Sequence, residues 1–394
     1  MARILVAPME VMAETSGPMG RARRLAAELV RRGHDVAFCS AESVNYRPVE
    51  GVKNHVAPTP ALLGLPPVIG RTLFKMAALL GAQRRVRVDS FEQVLDMVGA
   101  LDVAWFERDV AVLREAIRAH RAQVVYAEFR LSAIVAATSE KCPVATAHSV
   151  PTTAGFARDP RRSRKLRAHL EGCGFPAAGS ILEVFDWADL KIVPSSPELE
   201  PMGGERVVFT GPFAEPPPAP AEAPARDQVV VYMGNGSVTP RDQLRVLRTA
   251  FADGRFGVCL ASGQLEPGVF GPVRVEPRFD FRELLPRAAV LLDHGGQNTV
   301  MDGLLAGVPQ LVCPGMIFER RYNARSVADL GAGMLLDHGS FQAEEVRRRV
   351  DALVADGSCA ERARRAGRRL VALGGVSRAA QAIEDLAGEF PAGA

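Results

Sequence analysis

The residues best suited to chemistry gather in His294-Gly295-Gly296-Gln297-Asn298-Thr299, with Asp302 one helical turn on and Gly307-Val308-Pro309-Gln310 beyond it. The apolar run Val290-Leu291-Leu292 leads into this stretch and reads as a buried strand. A strand, two glycines and a polar start to a helix together build an anion site. Glycine lets backbone approach an oxyanion, and the first N–H groups of a helix, at the positive end of its dipole, face it. Asn298 or Thr299 is placed to cap the helix, and Asp302 can reach the same ligand. The competing reading of this stretch, taken alone, is an ordinary capped helix in an α/β domain.

Such a turn needs a parallel sheet with crossover helices behind it, and the second half of the chain is patterned for one. Strands are predicted at 229–232, 257–261, 273–275, 290–292, 310–313 and 334–336. Helices are predicted at 241–251, 281–288 and 322–330, then from 342 nearly to the end. The first half starts in the same rhythm: a strand at 3–7, a helix ending at Arg32-Gly33, and a strand at 36–38. Further strands are predicted at 124–126, 144–146, 192–193 and 207–209. Between them, 62–119 reads as long and helical, with apolar residues such as Leu63, Val68, Leu73 and Leu80 mixed with arginines. Packing against the sheet competes there with a pocket wall for an apolar substrate or a membrane-facing surface.

Length and composition bound the function. A chain of 394 residues exceeds one ordinary core, so two domains are expected, and 47% apolar residues suffice to fill them. The Pro/Ala run 212–224 reads as a semi-rigid linker near the middle. A net charge of +3 argues against a nucleic-acid partner. Lysine occurs at only five positions, so the positive charge is nearly all arginine, a codon bias rather than a phosphate-binding signature. Cys39, Cys142, Cys173, Cys259, Cys313 and Cys359 are far apart with no C-x-x-C spacing. They read as free thiols in a reducing cytosol, and neither a metal nor a disulfide framework is expected. No signal peptide is read before the strand at 3–7 and no run is long enough to span a bilayer, so a cytoplasmic protein is expected.

In order and spacing these pieces resemble the GT-B-fold, nucleotide-sugar-dependent glycosyltransferases, the group that includes bacterial natural-product and macrolide glycosyltransferases and plant UDP-glycosyltransferases. The resemblance runs from Arg3-Ile4-Leu5-Val6 and Arg32-Gly33-His34-Asp35-Val36, through Ser196-Pro197-Glu198-Leu199-Glu200 and Thr210-Gly211-Pro212-Phe213. It continues in Gly236-Ser237, Leu284-Leu285-Pro286, the His294 stretch and Glu319-Arg320-Arg321-Tyr322-Asn323-Ala324. It implies an α/β protein of two Rossmann-like doubly wound domains facing across a cleft. An acceptor-binding domain would occupy 1–212, a linker 213–226 and a donor-binding domain 227–375. A C-terminal helix at 376–394 would pack back on the N-terminal domain.

The resemblance also implies roles. His294, Gly295, Gly296, Asn298 and Thr299 would meet the donor diphosphate, with Ser237 in the loop that closes over it. Asp302 stands where a Glu holds the ribose, and its reach is shorter. Arg278-Phe279 falls at the nucleobase position, where Arg278 replaces an aromatic ring and suggests guanidinium stacking. Glu319-Arg320 replaces the Asp-Gln pair that holds the sugar hydroxyls and suggests an altered donor preference.

The family's base is a His after Gly in the first loop, oriented by an Asp. Here that pair falls on Gly17-Pro18, and proline cannot take a proton. Glu128 stands where the orienting Asp would be. Three replacements are open: Glu14 in the same loop, Glu128 acting directly, and His148 after the strand at 144–146. A reaction with no protein base is the fourth possibility. A structural carboxylate paired to Arg21 or Arg130 is the plainer reading of Glu128, a satisfied core histidine that of His148, and His34 reads as structural.

The expected function is therefore an inverting glycosyltransferase acting on a hydroxyl of a small, apolar natural product, with a nucleotide sugar as co-substrate and no cofactor or metal. A lipid-acceptor transferase, a nucleotide-sugar hydrolase and a non-catalytic nucleotide-sugar-binding protein are the alternatives. Gly17-Pro18-Met19-Gly20-Arg21 and the basic apolar stretch 65–87 keep peripheral membrane contact open. Both a monomer and a homodimer fit.

Overall fold

The computed structural model describes residues 1–9, 17–42, 47–61, 72, 86–218, 224–234 and 238–390. Two compact units emerge. The first comprises Met1–Met76, Asp89–Phe213 and Leu373–Ala394; the second comprises Ala77–Val88 and Ala214–Ala372.

In the first unit, seven parallel strands lie in the order β3-β2-β1-β4-β5-β6-β7. They are β1 Arg3–Pro8, β2 Asp35–Ala41, β3 Lys53–Ala57, β4 Val124–Glu128, β5 Val144–Ala147, β6 Leu190–Val193 and β7 Val207–Phe209. β4 is buried along its whole length, as expected of a central strand covered by helices on both faces. The helix Gly17–Arg31 buries Met19, Ala22, Leu25, Ala26 and Leu29, spaced three to four apart so that one stripe faces the sheet. Ser90 and Asp102 cap the helices Phe91–Met97 and Val103–His120, each side chain accepting a backbone N–H of the first turn. Val103–His120 buries Trp105, Phe106, Leu113, Ala116 and Ile117. This part of the long helical region therefore packs as core, while the apolar residues Leu63 to Leu80 lie outside the described residues.

The helix Gly375–Glu389 belongs to this first unit although it closes the sequence. Arg32 pairs with Glu384 at 3.0 Å. His34 accepts the Ala2 N–H at Nδ1 and presents Nε2–H to Glu384 at 2.7 Å. His34 thus pins the last helix to the first strand and holds no position in a site.

In the second unit the order is β10-β11-β9-β8-β12-β13-β14. The strands are β8 Gln228–Tyr232, β9 Gly257–Ala261, β10 Gly268–Phe270, β11 Val273–Glu276, β12 Ala288–Asp293, β13 Gln310–Val312 and β14 Gly333–Leu335. All neighbours are parallel except the β10–β11 edge hairpin. The sequence pattern missed β10 and β3 because neither has a continuous apolar run to bury. Among the parallel strands of each sheet the strand order reverses once, between β1 and β4 and between β8 and β12. The crevice outside the C-terminal ends of strands at such a reversal is where open α/β sheets bind ligands.

Candidate active site

β12 is apolar until its last residue, Asp293, and the chain then turns through His294-Gly295-Gly296 into the helix Gln297–Leu305. Gly295 has φ +80°, and a Cβ there would stand 2.6 Å from the Arg320 carbonyl oxygen. Only glycine fits both the left-handed backbone and the close approach. The helix N-cap is Gly296, with no side-chain cap hydrogen bond, so neither Asn298 nor Thr299 plays the capping role expected of them. Both lie inside the first turn instead: Asn298 is exposed, Thr299 buried, and Asp302 half-buried one turn on. A glycine cap offers no side-chain acceptor to the first-turn N–H groups, which suits a ligand-binding helix start.

His294 is fixed by the neighbouring strand. Its Nδ1–H donates to the Tyr232 carbonyl at 3.2 Å, and the Tyr232 ring meets the imidazole edge-on at 5.4 Å. Nε2 then lies over the helix start, 2.8 Å from where a Gly296 Cβ would be. Burial, and secondly the charge of Arg320, pushes the His294 pKa down to about 3, so the ring is neutral with its lone pair on Nε2. The half-buried Arg320 sits in the first turn of the helix Phe318–Asp329, and burial lowers its own pKa.

Two residues without a sequence-based role hold this turn in shape. Asp293 is fully buried; its Oδ1 accepts the Gly295 N–H at 2.6 Å, and its Oδ2 has no partner. Burial pushes its pKa up to about 7. Asn323 donates from Nδ2 to the Gly295 carbonyl at 2.8 Å. An acid closing an otherwise apolar strand was the signal for the first. The second had no signal beyond its place in the Tyr322-Asn323-Ala324 run.

The remaining donor-side candidates are more dispersed. Arg278 is exposed and Phe279 half-buried beneath the Arg274 guanidinium, 4.9 Å from the ring centre. Glu319 is exposed. Ser237 lies outside the described residues.

In the first unit, Glu128 ends β4 at the sheet reversal and is fully buried. Its Oε1 accepts from Arg21 at 2.7 Å and its Oε2 from the Tyr126 hydroxyl, so both oxygens are engaged. Arg130 pairs instead with Asp109, which also accepts from Ser132. His148 follows β5 and is 2% exposed. The Thr152 hydroxyl donates to the Ser149 carbonyl at 2.8 Å, so its oxygen is left to accept from His148 Nδ1–H at 3.1 Å. That network assigns the lone pair to Nε2. Burial, helped by Lys191, pushes the His148 pKa down to about 4. Pro18 lies in the first turn of the helix Gly17–Arg31, and Glu14 lies outside the described residues.

Residues 263–375 match the C-terminal domain of the erythromycin biosynthesis protein CIII-like family. Over its full length the chain superposes on the glycosyltransferase of kitacinnamycin, with a TM-score of 0.72, 22% identity and 99% of each chain covered. The chain has the GT-B fold of the family 1-like glycosyltransferases. Another such fold, the glycosyltransferase VinC in complex with dTDP, matches with a TM-score of 0.68 at 19% identity, covering 98% of this chain and 100% of that one. By sequence the chain is 28% identical to the NDP-glycosyltransferase YjiC of Bacillus licheniformis over 51% of its length, and it spans 54%, about half, of that curated relative.

In this GT-B chain the described residues contain no group of three or more His, Cys, Asp or Glu side chains placed to hold a metal. No helix among them is long and apolar enough to cross a membrane. Five of the six cysteines are buried and Cys173 is exposed.

Proposed function

We propose that the chain transfers a sugar from a nucleoside-diphosphate sugar to a hydroxyl of a small, apolar natural-product acceptor, with inversion. The observation that carries this reading is the helix Gln297–Leu305, opened by an uncapped glycine beneath the buried His294 and beside Arg320. That arrangement suits a diphosphate, whose charge must be held as it leaves. The dTDP bound by VinC, and the natural-product naming of the matched family and of the kitacinnamycin enzyme, support the donor and acceptor classes.

The chemistry asks for two things, a stabilised leaving group and a place for the acceptor proton. In our reading the second unit supplies the first and the first unit the second. Of the three candidate bases, His148 is favoured by the Nε2 lone pair that its Nδ1 contact assigns and by its place just after the C-terminal end of β5. Glu128 has both oxygens in use, which suits an orienting part. The low basicity of His148 makes it a modest base, effective once bond-breaking at the sugar is advanced.

The test incubates the purified chain with UDP- and dTDP-sugars and a panel of polyketide and aromatic acceptors, following nucleoside-diphosphate release and glycoside mass. Glycoside with the opposite anomeric configuration to the donor is expected. Nucleotide binding with no turnover on any acceptor would instead mark a binding protein, and release without glycoside a hydrolase.

A further inference from the structure

Arg320 is a partly buried cation of the second unit whose charge, among the described residues, is offset only at a distance by the exposed Glu319. Its guanidinium forms no hydrogen bond and no ion pair with any described residue, although burial already disfavours its charge. Arginine stays protonated regardless, and a partly desolvated cation without a partner costs stability until an anion arrives. Its backbone packs against the Gly295 turn, since the Arg320 carbonyl is the atom that forbids a Cβ there. Its charge is felt at His294 and Tyr232, the residues flanking the helix start.

His294 cannot by itself provide that positive charge. Its single proton is committed to the Tyr232 carbonyl through Nδ1, so Nε2 donates to a phosphate oxygen only after taking up a second proton. Asp293, buried just behind, supplies no cation either. The permanent charge beside the helix start is therefore Arg320.

We propose that Arg320 is a catalytic residue that binds the diphosphate of the donor and carries the negative charge of the leaving group, a task distinct from holding sugar hydroxyls. This rests on the nucleotide-sugar reading above. As the bond between the anomeric carbon and the β-phosphate oxygen breaks, its electron pair stays on that oxygen, and Arg320 donates N–H bonds to the diphosphate. The acceptor oxygen forms the new bond to the anomeric carbon, and its proton passes to the base or to solvent.

The test compares the parent with Arg320→Gln and Arg320→Lys by calorimetric titration with UDP and dTDP, with the matching monophosphates, and by turnover. Charge-assisted hydrogen bonds to an anion predict that Arg320→Gln weakens diphosphate binding roughly 10- to 100-fold while monophosphate binding changes under about threefold. Its kcat should fall at least about tenfold, with Arg320→Lys recovering part of the loss. The ligand-free Arg320→Gln protein should melt at or above the parent Tm, because an unpaired charge has gone. That result also shows the variant is folded. Diphosphate affinity and kcat within twofold of the parent would overturn the proposal. So would equal weakening for mono- and diphosphate, or a loss confined to donors whose sugar bears a carboxylate. A parent that binds no nucleoside diphosphate sinks the donor-site reading itself, before any variant is made.

Discussion

Both units put polar residues at the reversal of a parallel sheet, and they treat charge in opposite ways. At the reversal of the first unit Glu128 is closed in by Arg21 and Tyr126, and Asp109 by Arg130 and Ser132, so both carboxylates have cationic partners; away from it, the buried Glu92 leaves its Oε2 without one. In the second unit Arg320 makes no hydrogen bond or ion pair with a described residue, Asp293 has an orphan oxygen, and the His294 Nε2 lies over a helix start whose cap is a glycine. Unpaired buried polar groups cost stability, and proteins retain them where a ligand repays the cost. In our proposal the second unit is a site awaiting an anion, and the first carries His148 as the base.

Removing His294 should break the second unit's role most severely. His294→Ala is expected to lower kcat/KM by several orders of magnitude, measured with the donor that the parent uses. Transfer near the parent rate would remove the helix start from the donor site. In the first unit, His148→Ala is expected to lower kcat roughly 100-fold with the diphosphate affinity unchanged. Glu128→Gln should instead lower both kcat and Tm, since it leaves Arg21 buried without its counter-charge. If Glu128→Gln alone abolished the pH dependence of kcat, the two roles would be exchanged.

Stability against pH sharpens the contrast further. His294 and His148 have folded pKa values of about 3 and about 4, below the usual 6.5. As pH falls below 6.5 the unfolded chain binds protons first, so stability is lost from there downward through those values. Asp293 acts in the opposite sense, with a folded value of about 7 against 3.8. Its contribution is complete below 3.8 and disappears as pH rises to 7, on the order of 4 kcal/mol in all. Asp293→Asn keeps the oxygen that accepts the Gly295 N–H. Its Tm relative to the parent should therefore be higher at pH 8 than at pH 5, and equal differences at both would show that the acid is ionised when buried.

The smallest effect is expected at Asn323. Asn323→Ala leaves the Gly295 carbonyl without its donor and should cost about 1–2 kcal/mol of stability, with a loss of diphosphate affinity of roughly tenfold or less. Calorimetry that found the affinity unchanged would show that the turn keeps its shape without this bond.

How much of this was legible in the sequence differs between the units for a physical reason. Asp293 to Asp302 is one continuous run, and a strand–glycine–helix turn is local geometry written in local residue types. The pieces of the first unit lie far apart: Arg21 and Glu128 are separated by 107 positions, and the Arg21 partnership for Glu128 was one of two open pairings. The helix cap at Gly296 was misread because a polar residue in the first turn resembles a cap in sequence, whereas the backbone angles that define one belong to the fold.

By itself the sequence determined two parallel-sheet units, a strand–glycine–helix turn at His294, and the absence of a histidine at Pro18. Those follow from period, composition and neighbouring residues. The tertiary structure alone decided which protons and charges are available: the Nδ1 proton of His294 held by Tyr232, the lone pair of His148 set by Thr152, the raised Asp293 and the unpaired Arg320. Protonation and pairing depend on burial and on partners brought together from distant segments, and neither is written in any one stretch of chain.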